Sequence, residues 1–227
     1  MYAPDYTPLP GSNRAYPQPE RRNKLGEYTL TYQVLFAWFN MSASTRRLIT
    51  EKPSEPYLLL LLLSTDLAFF MSWTLKAIVV PNLAGVSLIS VEIGALFVLA
   101  MVGRTVGLYI FAMVLGALCR LCGGRGTWRN TRIAVFWGAF VTAPFGILAA
   151  LILVLFTNLE ASYPIFGADW ISMPPYWLGV LPFVWYVSVA VARAQGFRKV
   201  SPLFLTMSVV SLVGLIAGMY FHARGMI

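Results

Sequence analysis

The sequence predicts an all-α membrane protein: a polytopic bundle of about five transmembrane helices, with an amphipathic helix lying in the interface on its N-terminal side. Three observations predict it. Hydrophobic residues make up 58% of the 227 and charged residues only 11%, with a mean hydropathy of +0.70, where a typical soluble domain carries about 25% charged residues. A soluble domain of this size has too little interior for that much apolar surface, so the bilayer takes the excess. Apolar runs of roughly 20 residues recur along the chain, the length a helix needs to cross a ~30 Å hydrocarbon core. Finally, the basic residues stand at the ends of these runs. A net charge of +8 would raise the question of nucleic acid in a soluble protein. Placed as it is here, it speaks for membrane topology and anionic lipid headgroups, with no nucleic-acid partner.

The first 26 residues are rich in Pro, Asn, Arg, Tyr and Gly. They lack the apolar core of a signal peptide and read as a disordered tail, leaving insertion to the first true span. Residues 27–55 read as cytoplasmic interfacial helices. In 27–41, EYTLTYQVLFAWFNM, Leu30, Val34, Ala37 and Trp38 follow helical spacing while Thr31, Gln33 and Asn40 fall on other faces, the pattern of a helix in the interface. A core helix is the alternative, but it has little soluble domain to pack against. Ala43–Lys52, with Arg46, Arg47 and Lys52, continues along the surface.

Residues 56–227 form the membrane domain. The first span runs from Tyr57 to Val79, about 34 Å of helix, with Trp73 and Lys76 as interfacial anchors; Pro81, Asn82 and Gly85 break it. The stretch Val86–Leu121 is too long for one span and too short for two. It divides into an outer surface segment, Val86–Glu92, and a second span, Gly94–Leu118, closed by Gly123-Gly124-Arg125-Gly126 in a turn that glycine permits. The third span, Ile133–Phe156, carries Pro144, and the fourth, Pro175–Ala194, carries Pro182. Each proline removes a helical hydrogen bond and predicts a kink, which neighbouring helices can accommodate. The loop Thr157–Pro174 holds Glu160, Asp169 and two prolines, and the fifth span runs from Pro202 to Phe221.

The charges orient the bundle. The N-terminal region holds Arg14, Arg21, Arg22, Lys24, Arg46, Arg47 and Lys52; the second connection holds Arg120, Arg125, Arg129 and Arg132; the fourth holds Arg193, Arg198 and Lys199. Val80–Gly85 and Thr157–Pro174 hold no Lys or Arg, and the tail holds only Arg224. Basic and non-basic connections alternate as five spans require, with the N-terminus cytoplasmic and the C-terminus external.

Inside the apolar runs stand Asp66 and Arg104. An intramembrane charge costs several kcal/mol unless it is paired or wet. By helical rise Asp66 lies about 14 Å and Arg104 about 22 Å from the cytoplasmic side, a gap that a long Arg side chain bridges. Glu92, nearer the outer surface, is a weaker partner. The pair reads either as a tie that fixes how two helices dock, or as an ion relay or substrate counter-ion. His222, at the last span's outer end, is expected to be solvated.

The catalytic inventory is thin. No H-E-x-x-H and no phosphate-binding G-x-x-x-x-G-K-[ST] occurs, and the single histidine is badly placed for a triad. Cys119 and Cys122 form a C-x-x-C on helix without the further ligands a metal needs. No catalytic residue, cofactor or metal is expected, and the chain reads as a non-enzyme.

At Leu118–Leu148, LCRLCGGRGTWRNTRIAVFWGAFVTAPFGIL, and at Ala192–Pro202, ARAQGFRKVSP, the chain resembles the YIP domain family, the Ypt/Rab-interacting membrane proteins, and its bacterial branch in particular. There a GG-[RK]-G turn joins the second span to a proline-bearing third, and a basic turn precedes the last span. The resemblance covers roughly residues 28–222. Five spans with a cytoplasmic N-terminus are part of the likeness, and the short acidic outer loops and single compact unit fit a bacterial inner membrane. The D-L-Y-G-P-type signature of eukaryotic members is not found, Asp66-Leu67-Ala68 being the nearest approach, so Rab binding does not carry over. The functional expectation is a membrane scaffold or adaptor touching anionic lipid and other membrane proteins. The alternative is a small transporter or channel subunit using Asp66 and Arg104.

Overall fold

The computed structural model describes residues 29–79, 90–160, 162–167 and 174–223. The N-terminal tail, the breakers Pro81, Asn82 and Gly85, Asp169 and Arg224 lie outside the described residues. Within them the chain is all-helical: α1 Leu30–Phe39, α2 Met41–Glu51, α3 Glu55–Val79, α4 Ser90–Leu121, α5 Trp128–Glu160, α6 Pro174–Gln195 and α7 Ser201–Ala223, with a 3₁₀ turn at Pro164–Gly167. By length and composition α3, α4, α5 and α6 can each cross a membrane. The 23 residues of α7 rise about 34 Å, a fifth element of spanning length, although its described apolar stretch, Ser201–Gly214, is shorter.

The core is built around α5. From Ile133 to Thr142 every residue except Phe140 is buried, so this half of the helix is apolar all round, as a central helix must be. It packs most extensively on α6 and α3. Gly138 allows the closest approach: a Cβ there would stand 2.8 Å from Val187 Cγ2 on α6, the small-residue contact by which membrane helices bring their backbones together. On α3, Leu58, Leu61, Leu62, Thr65, Asp66 and Ser72 form the buried stripe at the 3–4-residue spacing of one helix face. Faces turned outward carry Val98, Leu99, Val102, Val106 and Ile110 on α4 and Leu205, Val209 and Val213 on α7, apolar surface that the bilayer covers.

Two differences from the sequence reading have local causes. Ser90–Glu92 are the first turn of α4 rather than part of a separate surface segment, because Gly94 alone does not stop a helix that long. The two N-terminal helices meet at Asn40 and pack on the bundle, where the sequence left them little to pack against. Asn40 ends α1 and begins α2, its backbone N–H bonding Phe36 O at 2.9 Å and its side chain accepting from Ala43 N at 3.1 Å. Met41, Ser44, Thr45 and Leu48 of α2 are buried, and α2 packs on α5 and α6. The membrane bundle itself supplies these helices with a packing partner.

Candidate functional site: a buried charge pair and a glycine-rich turn

The apolar stripe of α3 carries Asp66 into the contact with α4. There Arg104 Nε lies 2.9 Å from Asp66 Oδ1, the carboxylate side chain 1% exposed and the guanidinium side chain 25%. This contact is close but poorly aligned as a hydrogen bond, and Oδ1 has no aligned donor. The aligned bond is to the other oxygen: Thr105 Oγ1 donates to Asp66 Oδ2 at 2.7 Å. The guanidinium carbon stands 4.1 Å from the centre of the Phe69 ring, a cation–π contact in a desolvated setting. One turn further, the Phe70 and Phe97 rings meet edge to face at 4.5 Å. The α3–α4 contact is thus held by an ion pair, a hydroxyl and two aromatic contacts.

Arg104 also borders a cavity of about 670 Å³ between α3, α4, α5, α6 and α7. Its polar neighbours are mostly hydroxyls. Thr65, Ser72 and Thr142 each donate to a carbonyl of their own helix, at 2.8, 2.9 and 2.9 Å, so their donor hydrogens are satisfied before they meet the cavity. The helix prolines are the chain neighbours of two lining residues, Pro144 of Ala143 in α5 and Pro182 of Phe183 in α6. Each lacks the N–H that would bond the carbonyl four residues back. Beside the freed Phe140 carbonyl, Trp38 Nε1 donates to Val141 O at 2.9 Å.

The glycine-rich turn is built from two interlocked helix ends. At α4, Gly123 has φ +85°; Gly123 N bonds Arg120 O at 3.0 Å and Gly124 N bonds Cys119 O at 2.8 Å, a Schellman cap. At α6, Gly196 has φ +79° and Phe197 N bonds Ala192 O at 2.8 Å, the same motif. The two caps then join. Arg125 N bonds Gln195 O at 3.0 Å, Gly126 N bonds Gln195 Oε1 at 2.9 Å, and Gln195 Nε2 donates to Thr131 Oγ1 at 2.7 Å. A Cβ on Gly124 would stand 2.7 Å from Cys119 O, and one on Gly126 would collide with the Ala194 carbonyl. Gly123 is therefore required by its backbone angle, and Gly124 and Gly126 by the close approach of backbone atoms.

Much of the basic cluster at this end is engaged within the chain. Arg129 Nη2 bonds Pro53 O at 2.8 Å, Arg132 pairs with Glu55 at 3.0 Å, and Arg120 lies over the Trp128 ring at 4.3 Å. Cys119 is buried and Cys122 exposed, both as free thiols, and among the described residues no cluster of side chains could hold a metal ion. Glu92 and His222 fall within α4 and α7. Thr105 and Gln195 were not singled out by sequence reasoning; their signal is a hydrogen-bonding side chain inside, or at the end of, an otherwise apolar run.

These features define a polytopic α-helical integral membrane protein, with one charge pair inside the bundle and a stitched turn at one end. The family model of the Yip1 domain matches residues 36–221, most of the chain, and the chain belongs to that family. No curated protein and no solved structure matches it.

Proposed function

We propose that this chain is a non-enzymatic scaffold or adaptor of the YIP type. It sits in a bacterial inner membrane with its N-terminus cytoplasmic and its C-terminus outside, and it binds other membrane proteins and anionic lipid headgroups. The observation that carries the reading is the enclosure of Asp66. Its carboxylate is 1% exposed and committed to Arg104 and Thr105, so this acid, the one found buried among the described residues, is consumed in docking α3 on α4 instead of facing a path for solute. The stitched turn at Gly123–Gly126 supports the same reading, because it gives the basic end of the bundle a fixed shape.

A transporter or channel subunit is the second reading, favoured by the cavity of about 670 Å³ bordered by Arg104. Reconstitution separates the two. Proteoliposomes carrying the full chain and an imposed pH gradient are expected to leak protons no faster than protein-free vesicles, while cross-linking in native membranes followed by mild-detergent purification yields stoichiometric membrane-protein partners. A proton flux that disappears in Asp66→Asn would replace the scaffold with transport.

A further inference from the structure

A second cavity, of about 560 Å³, opens between α4 and α7, two helices that share at most marginal contact. Its walls are Leu115 and Leu118 of α4 and Leu203, Met207 and Val210 of α7, its inner limit is Phe183 of α6, and Arg198 and Lys199 stand at its mouth. From that mouth to Val210 and Ser211 is roughly 15 Å of helix, about half of a ~30 Å hydrocarbon core. The groove is therefore one leaflet deep, open to the acyl region along its length and basic only where headgroups lie.

The charge at the mouth is uncommitted. Among the described residues the ion pairs are Arg47–Glu51, Arg104–Asp66 and Arg132–Glu55. The two described carboxylates of this end, Glu51 and Glu55, are thus already taken, and Arg198 and Lys199 are both exposed. An apolar trough with two unpaired cations at its headgroup end fits one kind of occupant, an amphiphile with an anionic head and a hydrocarbon chain.

We propose that the α4–α7 groove is a binding site for one anionic phospholipid of the leaflet at the Arg198–Lys199 end, its phosphate held by Arg198 and Lys199 and an acyl chain laid against Leu118, Leu203 and Met207. This site is separate from the Asp66–Arg104 pair, and it stands whether the bundle is a scaffold or a transporter. Cys122, exposed and lining the same groove, is a native reporter of its occupancy.

The test uses the full chain in nanodiscs and in detergent. Native mass spectrometry of protein purified with equal phosphatidylglycerol and phosphatidylcholine is expected to show one retained phosphatidylglycerol per chain, favoured at least tenfold over phosphatidylcholine. R198Q/K199Q is expected to remove that preference. R46Q/K52Q, which removes the same charge from exposed residues outside the groove on this end, is expected to keep it. Maleimide labelling of Cys122 in phosphatidylglycerol nanodiscs is expected to be severalfold slower in the wild type than in R198Q/K199Q. Equal retention of the two lipids by the wild type overturns the site. So does loss of the preference in both double variants alike, which would mark a general surface charge effect, or an unchanged Cys122 rate in R198Q/K199Q. Should R198Q/K199Q fold poorly, Leu203→Trp, which fills the trough and leaves both cations, must also release the lipid.

Discussion

A carboxylate in hydrocarbon is tolerated only with partners, and Asp66 has two on one neighbouring helix. Arg104 Nε supplies opposite charge at 2.9 Å, Thr105 supplies the aligned hydrogen bond at 2.7 Å, and Phe69 covers the guanidinium at 4.1 Å. Removing one member leaves the other charge without compensation, which typically costs about 3–5 kcal/mol, whereas replacing both with apolar residues can be nearly neutral. Asp66→Leu and Arg104→Leu are each expected to lower thermal stability in detergent by that order, and the double variant to recover most of the loss. Strictly additive losses in this cycle would mean the two residues act independently. Both residues were legible in the sequence because charge is rare in an apolar run and helical rise gave each an approximate depth. Thr105 was not, since a threonine in a membrane helix is ordinarily satisfied by its own backbone, as Thr65 is here. Only the register of α3 against α4 turns it towards Asp66.

Among the elements, the N-terminal helices depart furthest from what their residues announce. Trp38 donates to Val141 O, and its own carbonyl accepts from Tyr186 Oη at 2.8 Å. Trp137 Nε1 donates to Ser44 Oγ at 3.0 Å. Val141 lies thirteen residues into α5, about 20 Å along it, so the α1–α2 junction meets α5 well within its length. Of the face spaced as Leu30, Val34, Ala37 and Trp38, the last three pack on the core while Leu30 is exposed; a face alone does not say whether lipid or a neighbouring helix covers it. The membrane helices were easier to read, because length and apolarity fix them locally: α6 and α7 differ by only a residue or two from the spans read at Pro175–Ala194 and Pro202–Phe221. Trp38→Phe tests the docked arrangement. It keeps an aromatic ring beside Phe145, which the indole meets at 5.2 Å, and removes the N–H with part of the ring, leaving the Val141 carbonyl without that donor. A loss of about 1–3 kcal/mol is expected, read by thermal unfolding in detergent. An unchanged melting temperature would show that the contact contributes nothing.

At the scale of the whole molecule, arginines of the basic connections hold one end of the bundle together. Arg129 reaches the α2–α3 connection and Arg132 reaches Glu55, while Gln195 joins the α4–α5 turn to the end of α6. This arrangement requires Lys52, Gly123–Gly126 and Arg198–Lys199 to lie on one side of the membrane. The same requirement emerges from the alternation of basic and non-basic connections, without any knowledge of the contacts. The most direct measurement is a set of reporter fusions to the full-length chain after Lys52, Asp169, Lys199 and Ile227. The expected readings are inside, outside, inside and outside. A cytoplasmic signal at Asp169, or an external one at Lys199, would contradict it.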